Sequence, residues 1–275
     1  ADTEILLFDD ASDLIFQEMN APLASLPLLH YKVLPKNLGR SRIRNLLAAE
    51  ARFEWLLFMD GDSEVPDPLY LQRYIDASAG KQVICGGRSY GPMPTETDFY
   101  LHWLYGGERE QTTAAQRNGK ASHAFMSNNF MIRREIVMQL PFEEQLQGYG
   151  HEDTLFGFRL IRNGIRIDHI DNPLVHTGLE TNEAFLRKSR EAVSNLLQVY
   201  YLLNKDPLLA EMVRLIRVYR KLKAWQLSRC YFRCFRMAET ILMKNLSGAN
   251  PSLKALDLCK LGWLVAFDRK KLHAR

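Results

Sequence analysis

The feature that most constrains the fold is an alternation of short apolar runs with amphipathic stretches, which continues to about Thr177 and then stops. Short apolar runs separated by helical patterns are typical of βα units that build a largely parallel sheet. From Asn182 onward, apolar residues recur at three- and four-residue steps, which indicates helices. The sequence therefore predicts an α/β region over residues 1–180 and a helical extension over residues 181–275.

The apolar runs predict strands at residues 4–8, 31–34, 55–59, 82–85, 125–132 and 165–170. The amphipathic stretches predict helices at residues 12–19, 40–51, 68–77, 99–105, 134–139 and 152–163, with Gly164 ending the last of them. Residues 90–97 and 108–122 are predicted to be long loops, the second of them mobile.

Composition indicates a globular protein, because 47% of the residues are hydrophobic, which is enough for a core. No run approaches the ~18 apolar residues of a membrane span, and no signal-like segment is present, so a cytoplasmic location is favoured. Four cysteines occur without a CxxC pair, which argues against a metal cage. Cys230 and Cys234 share one helical face and are predicted to lie in the core.

Charge is distributed unevenly along the chain. Residues 211–275 carry 15 Lys and Arg against four acids, a balance of +11, whereas residues 1–210 carry 21 basic and 28 acidic residues, a balance of −7. Two regions with different roles are implied. The basic helices either form a cap with a solvated charged face or dock on an anionic membrane surface, peripherally on its inner face.

Two carboxylates follow the apolar run Trp55–Met59, in the segment WLLFMDGDSEVP. Asp60 and Asp62 flank Gly61, and paired Asp oxygens are hard ligands suited to Mg²⁺ or Mn²⁺ that carries a phosphate. In open α/β sheets, ligands bind at the carboxyl ends of strands, where this pair would lie. A plain surface turn also favours Asp and Gly, so the pair by itself leaves both interpretations open.

The acids of DDAS, Asp9 and Asp10, follow another apolar run and would line the same rim, where a carboxylate can bind a base or a ribose. Capping of the next helix by Asp10 or Ser12 is the alternative. The segment NLGRSRIRN, from Asn37 through Arg44 to Asn45, places three arginines at a helix start, which would favour a bound diphosphate. Pairing of these arginines with acids on a solvated face is the alternative.

Three further segments carry polar groups that suit a sugar-binding site. Glu152 and Asp153 begin a helix after GYGH, so one acid can bind a hydroxyl of the ligand while the other accepts a proton from it. Acids are also ordinary residues of a first helical turn, which is the alternative. His176 in NPLVHTG can complete a metal site with Asp62, or be an ordinary polar residue. Asn128 and the adjacent Asn129 either bind sugar hydroxyls or hold a loop.

Together and in this order, these segments resemble the family 2 glycosyltransferases, over residues 4–178. The motifs are DDAS, NLGRSRIRN, FMDGDSEVP, SNNFMIRRE, GYGHEDTLFGFRLIRNG and NPLVH. The resemblance implies a GT-A fold: an α/β, mixed and mostly parallel sheet flanked by helices, with the C-terminal helical extension. It also implies a nucleotide-sugar donor, usually linked to UDP, a divalent ion (Mn²⁺ or Mg²⁺), and transfer with inversion to a glycan or lipid-linked acceptor in polysaccharide synthesis; no nucleic-acid partner is expected.

The resemblance also assigns roles. Asp153 matches the catalytic base and Glu152 binds hydroxyls beside it. Asp60 and Asp62 serve the sugar-nucleotide and the metal, with Asp62 the firmer metal ligand, and His176 is the further ligand. The remaining donor contacts fall on four residues: Asp9, Asp10, Asn37 and Arg44. Asn128 is expected to bind a sugar hydroxyl.

One departure from the family pattern concerns the start of the chain. Family members begin with a further strand and a turn that hold the base, whereas this sequence starts directly before EILLF. Either the chain is trimmed or the uridine pocket is built differently. A trimmed chain is expected to expose a strand edge, with weak donor binding or self-association. A donor-impaired domain that assembles with another transferase is the alternative function.

Overall fold

The computed structural model describes residues 2–119, 125–146 and 148–273, and in these ranges nine short strands alternate with helices. The strands are β1 (Ile5–Asp9), β2 (Leu29–Val33), β3 (Trp55–Met59), β4 (Ser63–Glu64), β5 (Val83–Cys85), β6 (Arg88–Tyr90), β7 (Asn129–Arg133), β8 (Ile167–His169) and β9 (Leu174–His176). The first seven helices are α1 (Leu14–Asn20), α2 (Arg40–Glu50), α3 (Tyr70–Ala77), α4 (Tyr100–Tyr105), α5 (Ala114–Gly119), α6 (Arg134–Gln139) and α7 (Glu152–Arg162).

The C-terminal part consists of five helices: α8 (Asn182–Leu202), α9 (Pro207–Met212), α10 (Arg214–Ala224), α11 (Ser228–Leu246) and α12 (Leu253–His273). Short 3₁₀ helices occur at Ala21–Ser25 and Thr97–Phe99, and a π-helical segment at Gly106–Glu110 extends α4. No helix in the described ranges is long and apolar enough to cross a membrane.

The described strands form three sheets, ordered β1-β2, β3-β7-β5-β8 and β4-β9-β6. Pairings β1–β2, β5–β8 and β6–β9 are parallel, and the other three are antiparallel. The predicted α/β architecture with a mixed sheet and C-terminal helices is therefore confirmed, with antiparallel pairing contributing as much as parallel pairing among these strands.

Elements with long, unbroken patterns match the sequence predictions best. Strand β3 and helix α6 have the predicted bounds, and the other predicted elements end within a few residues of their predicted limits, except β7. Strand β7 begins only at Asn129, not at residue 125. The loop predicted for 108–122 is wrong in part, because it contains the end of the π-helical segment and all of α5; residues 120–122 lie outside the described ranges.

The core of the α/β part lies between the large sheet and the helices that cover it. Leu56 and Phe58 of β3, Phe130 and Ile132 of β7, and Phe156 of α7 belong to one buried cluster. Phe58 and Phe130 stack with ring centroids 4.9 Å apart. Because alternate residues of a strand face the same side, Leu56 and Phe58 point together into this cluster.

A second buried cluster joins the C-terminal helices to the α/β part. Leu155 and Phe158 of α7 belong to it, as do Tyr219 of α10 and Leu264 of α12. The basic helices are thus packed on the rest of the chain through a common apolar core. Deleting residues 211–275 would expose this core, so point substitutions are the better test of what these helices do.

Leu264→Ala is expected to lower the free energy of unfolding of the whole chain by about 2–5 kcal/mol, because Leu264 is fully buried in the shared cluster. Leu258→Ala on the same helix removes a side chain that is 46% exposed and is expected to change stability by no more than about 0.5 kcal/mol. Urea unfolding followed by circular dichroism and tryptophan fluorescence measures both. Two separate transitions, with only one shifted by Leu264→Ala, would contradict a shared core.

The edge of β1 away from β2 carries no strand pairing among the described residues. Ile5 on β1 is 51% exposed, and Glu4 reaches across to accept hydrogen bonds from the backbone N–H and side chain of Arg52 at 2.7 and 2.6 Å. Strand β1 is therefore an edge strand in the described part of the chain. The expectation of a trimmed chain stays a prediction.

The prediction that Cys230 and Cys234 lie in the core is wrong, because both are exposed. Cys85 and Cys259 are buried. The opposite face of α11 supplies the buried side chains, Phe235 and Leu246. Helix α11 has two apolar faces, and the face that contains the cysteines points toward solvent.

Candidate functional site

The acidic loop leaves the large sheet where β3 ends and is tied back by two pairings. The N–H of Asp60 donates to the carbonyl of Asn128 at 3.0 Å, beside the start of β7. Ser63 of β4 lies opposite His176 of β9, and the N–H of Thr177 donates to the carbonyl of Asp62 at 3.0 Å. These short strands bring Asp62 and His176 together although they are far apart in the sequence.

The two members of the Asp62–His176 pair differ in exposure. Asp62 Oδ1 lies 3.5 Å from His176 Nδ1, a buried nitrogen with no hydrogen-bond partner in the described part of the chain, while the Asp62 side chain is 48% exposed. The facing imidazole lowers the pKa of the Asp62 carboxyl, against the effect of burial. A Cβ added to Gly178 would lie 2.9 Å from Asp62 Oδ2, so the glycine leaves room for this carboxylate.

These two side chains fit a divalent ion only with help from a substrate. Within the described ranges, no group of three or more His, Cys, Asp or Glu side chains is arranged to hold a metal. Mg²⁺ typically takes one or two protein carboxylates and fills its remaining positions with substrate phosphates and water. An Asp oxygen and an unpartnered imidazole nitrogen suit such an ion when a diphosphate supplies the other ligands.

Asp60 contacts two guanidinium groups. Arg44 Nη2 lies 3.1 Å and Arg88 Nη2 lies 3.7 Å from its carboxylate oxygens. The carboxylate thus holds two cations beside Asp62. Its predicted role as a metal ligand stays a prediction, and the structure makes Asp62 the more accessible ligand of the two.

The arginines at the start of α2 pair with acids, as the alternative interpretation expected. Arg42 contacts Glu144 on the solvated surface, at 3.4 Å. Arg44 differs because it is buried and bridges Asp60 and Glu152, the latter at 3.4 Å. A buried guanidinium between two acids holds the acidic loop and the start of α7 together.

Asp9, Asp10 and Asn37 form hydrogen bonds within the protein. Asp9 accepts from the Ser12 N–H at 2.7 Å and the Ser12 hydroxyl at 2.6 Å, and these bonds lower its pKa. Asp10 accepts from the N–H groups of Leu38 and Gly39 at 2.7 and 2.9 Å, and Asn37 donates to the Asp10 carbonyl at 3.0 Å.

Capping of α1 by Asp10 or Ser12 is therefore wrong. The N-cap of α1 is Asp13, and its side chain makes no capping bond. Asp10 instead binds amides just before α2, at the left-handed turn of Gly39, where φ is 82°. Asp9 and Asp10 lie at the carboxyl end of β1 as predicted, and their nucleoside contact stays a prediction.

The two asparagines at the start of β7 differ in how they are satisfied. Asn129 accepts from the hydroxyls of Tyr70 and Tyr74, both at 2.6 Å, and donates to the carbonyls of Gly87 and Asn172, both at 2.8 Å. Asn128 is 4% exposed, yet within residues 2–119, 125–146 and 148–273 neither its amide nitrogen nor its oxygen has a hydrogen-bond partner. A buried amide is costly to leave unpaired, so Asn128 has the character of a ligand-binding group, whereas Asn129 holds loops.

Helix α7 presents two acids in different environments. Glu152 is buried and lies 3.4 Å from Arg44 and 3.6 Å from Arg40. Asp153 accepts from the N–H of Thr154 at 2.6 Å, and burial, followed by the charge of Glu152, raises its pKa to about 7. A carboxyl with such a pKa is suited to take a proton near neutral pH.

Four residues near the Asp62–His176 pair were not indicated by any sequence pattern: Arg88, Tyr90, His102 and Glu110. Tyr90 lies opposite His176 in the parallel β6–β9 pairing, with ring centroids 5.4 Å apart, and its hydroxyl donates to Glu110. Glu110 also binds Arg88, at 3.1 Å. Burial, followed by the neighbouring His176, lowers the pKa of His102 to about 4. The three residues of β6 form no apolar run that a pattern search would detect.

Comparisons with known proteins give the family and the fold of the chain. The profile of Glycosyl transferase family 2 matches residues 1–140, about half of the chain. A mannosyltransferase from Pyrobaculum calidifontis, PcManGT, solved in complex with GDP-Man and Mn²⁺, is 15% identical over 98% of this chain and 77% of its own, with a TM-score of 0.61.

S. aureus TarS 1-349, solved in complex with UDP, is 18% identical over 98% of this chain and 82% of its own, with a TM-score of 0.48. No curated protein matches the chain. At 15% identity, the likeness to PcManGT shows a common fold. The profile match, together with the mixed α/β fold and its C-terminal helices, shows that the chain is a glycosyltransferase that belongs to glycosyl transferase family 2 and has the GT-A fold.

Proposed function

We propose that this protein transfers a sugar from a nucleotide-sugar, most naturally a UDP-sugar, to a glycan or lipid-linked acceptor, with inversion and with Mn²⁺ or Mg²⁺. The observation that carries the proposal is the buried bridge of Arg44 between Asp60 and Glu152. This bridge joins the acidic loop, next to the Asp62–His176 pair, to the helix that presents Asp153. The proposed cation ligand Asp62 and the proposed base Asp153 thus each lie next to one end of this bridge in the sequence.

In the proposed reaction, Asp153 accepts the proton of the acceptor hydroxyl as its oxygen forms a bond to the anomeric carbon. The bond from that carbon to the diphosphate oxygen breaks on the opposite side, so the configuration inverts. A divalent ion held by Asp62 and His176 would neutralise charge on the departing diphosphate. The guanidiniums of Arg44 and Arg88 are already at the same loop and suit a diphosphate by charge and fork geometry.

The donor's sugar is proposed to satisfy Asn128, whose buried amide has both a free donor and a free acceptor. Glu152, held by Arg40 and Arg44, is proposed to orient hydroxyls beside the base. Asp9 or Asp10 would contact the nucleoside from the end of β1, and Asn37 lies next to them. Solved structures of this fold hold GDP-Man with Mn²⁺ in one case and UDP in another, which supports a nucleotide-sugar donor in general.

We propose residues 1–180 as the transferase domain and residues 181–275 as a helical extension that supports it. The extension reaches the loop before α7 through α8. Glu191 accepts from the N–H of Tyr149 at 2.9 Å, and Asn195 donates to the Tyr149 carbonyl at 3.1 Å. These bonds hold the loop that leads to Glu152 and Asp153.

The extension is also proposed to place the enzyme on the inner face of an anionic membrane through residues 211–275, where lipid-linked acceptors of polysaccharide synthesis are found. The balance of +11 in this segment supports that placement, because each basic residue near such a surface contributes about 1 kcal/mol of attraction. The exposed basic positions are distributed over α10, α11 and α12.

Nucleotide release from a panel of UDP- and GDP-sugars tests the proposed function. Release is expected from at least one donor with Mn²⁺ or Mg²⁺, and a chelator is expected to stop it, since Asp62 and His176 alone do not neutralise a diphosphate. The mass of the product on a glycan or lipid-linked acceptor then identifies the sugar. Release that persists with the chelator would overturn the metal dependence. Absence of release from every donor would favour the alternative of an assembly partner.

A further inference from the structure

Helix α11 has a second apolar stripe that points away from the protein. Its inner face buries Phe235 and Leu246 in the shared core. Its outer face exposes four residues at steps of four, three and four: Cys230, Cys234, Met237 and Ile241. Met237 is 84% and Ile241 is 73% exposed. Because a helix turns once in 3.6 residues, these side chains form one continuous ridge.

Basic side chains run along one flank of this ridge. Arg229, Arg233 and Arg236 repeat the same spacing one position before the ridge residues, and all three are exposed. Lys244 continues the row and is exposed as well. The one acidic residue in the sequence of α11, Glu239, is already paired with Arg236 at 2.8 Å. The outer face therefore combines apolar side chains with a row of positive charge.

The turn before α11 exposes two further apolar side chains. Trp225 is 68% and Leu227 is 47% exposed. Exposed Lys221 precedes them at the end of α10. An indole ring prefers the boundary between headgroups and acyl chains, where its apolar body and its N–H are both satisfied. An exposed tryptophan and an apolar ridge with basic side chains suit a binding partner that has an apolar interior and an anionic surface.

Charge complementarity decides between a lipid surface and a second copy of this chain. Two copies joined through this ridge would bring rows of arginines close together, and the only acid on α11 is already paired. Anionic lipid headgroups supply the missing negative charge along the basic flank of a helix that lies flat. Lipid acyl chains accept the side chains of Met237 and Ile241 without a shaped partner.

We propose that the outer face of α11 is the membrane-docking surface of this enzyme. Trp225, Met237 and Ile241 enter the headgroup boundary of an anionic bilayer, and Arg229 and Arg233 bind lipid phosphates. This proposal deepens the membrane placement under the proposed function and rests on it, since it selects one helix face from the basic segment 211–275.

The test is sedimentation of the full chain with vesicles of phosphatidylglycerol and phosphatidylcholine, and with vesicles of phosphatidylcholine alone. The wild type is expected to bind the anionic vesicles at least tenfold more tightly. Met237→Glu with Ile241→Glu is expected to lower that binding at least tenfold. The matched control is Leu71→Glu with Ile75→Glu on α3, which changes side chains 53% and 54% exposed and is expected to bind like the wild type.

A thiol reagent gives a local readout, because Cys230 and Cys234 are exposed on the ridge while Cys85 and Cys259 are buried. Anionic vesicles are expected to slow labelling of the two exposed cysteines at least fivefold. Unchanged labelling, equal loss of binding in the α3 control, or a dimer that the α11 variant dissociates would overturn the proposal. Nucleotide release without vesicles is expected to be the same in the α11 variant and the wild type, which separates failure of docking from failure of the proposed transfer.

Discussion

Asp153→Asn is expected to lower kcat for sugar transfer by about 10²–10⁴-fold, the usual contribution of a positioned general base. Affinity for UDP is expected to stay close to that of the wild type, because the diphosphate is proposed to be bound by Arg44, Arg88 and the divalent ion that Asp62 holds, and not by Asp153. The measurement is transfer rate under saturating donor together with calorimetric UDP binding. Glu152→Gln serves as the comparison, since it releases Arg44 and is expected to weaken donor binding.

The pKa of Asp153 gives this prediction a second readout. Because the group must be ionised to accept a proton, the rate of the wild type is expected to rise with pH and level off above about pH 7. The raised pKa also means that the folded state holds a proton that the unfolded chain loses near 3.8, so stability falls as pH rises between these values.

Asp153→Asn removes that loss of stability, so its thermal midpoint at pH 8 is expected to equal or exceed that of the wild type. Full transfer activity in a stable Asp153→Asn variant would overturn the assignment of Asp153 as the base. The same holds if the variant binds UDP weakly but keeps the wild-type kcat at saturating donor.

Asp62→Ala is expected to weaken Mn²⁺-dependent binding of UDP by about 10–100-fold or more. Substituting even a residue that only hydrogen-bonds to a metal ligand typically lowers metal affinity by about that factor. The residual binding without metal is expected to change little, since the arginines are unaltered. His176→Ala removes the facing nitrogen and is expected to produce the same pattern. Calorimetric titration of UDP with Mn²⁺ and with a chelator measures both.

The matched control for Asp62→Ala is Asp67→Ala, which removes another Asp downstream of β3 that also pairs with a basic side chain, Arg73, at 2.8 Å. Its UDP binding is expected to resemble that of the wild type. An equal loss in Asp67→Ala would indicate general disturbance of the segment. Metal-dependent binding that survives in both Asp62→Ala and His176→Ala would place the ion elsewhere.

The parts of the fold that followed from the sequence are those in which one periodic pattern decides the structure. Strand β3 is an apolar run with a buried alternation, and α6 and α7 carry helical spacing, so local pattern and tertiary environment agree in these elements. The acids at the ends of β1 and β3 were located by the same logic, because a strand end is visible where an apolar run meets Asp and Gly.

Three short strands were not predicted, because only their pairing with one another defines them as strands. Strands β4, β6 and β9 have two or three residues each, and their bonds come from partners distant in the sequence. Arg88 and Tyr90 belong to β6, so their presence near His176 could not be read from the chain. The outward orientation of Cys230 and Cys234 was likewise decided by which face of α11 found a core to pack against.

The sequence by itself determined the order of α/β units, the family and the acidic loop after β3, because each depends on residues that are neighbours in the chain. Tertiary structure alone decided which polar groups in and around that loop are paired. Among the described residues it left His176 Nδ1 and the Asn128 amide without hydrogen-bond partners, paired Asp60 with two arginines, and raised the pKa of Asp153 to about 7. Burial and the approach of distant charges produce these differences, and both arise only when separate segments pack together.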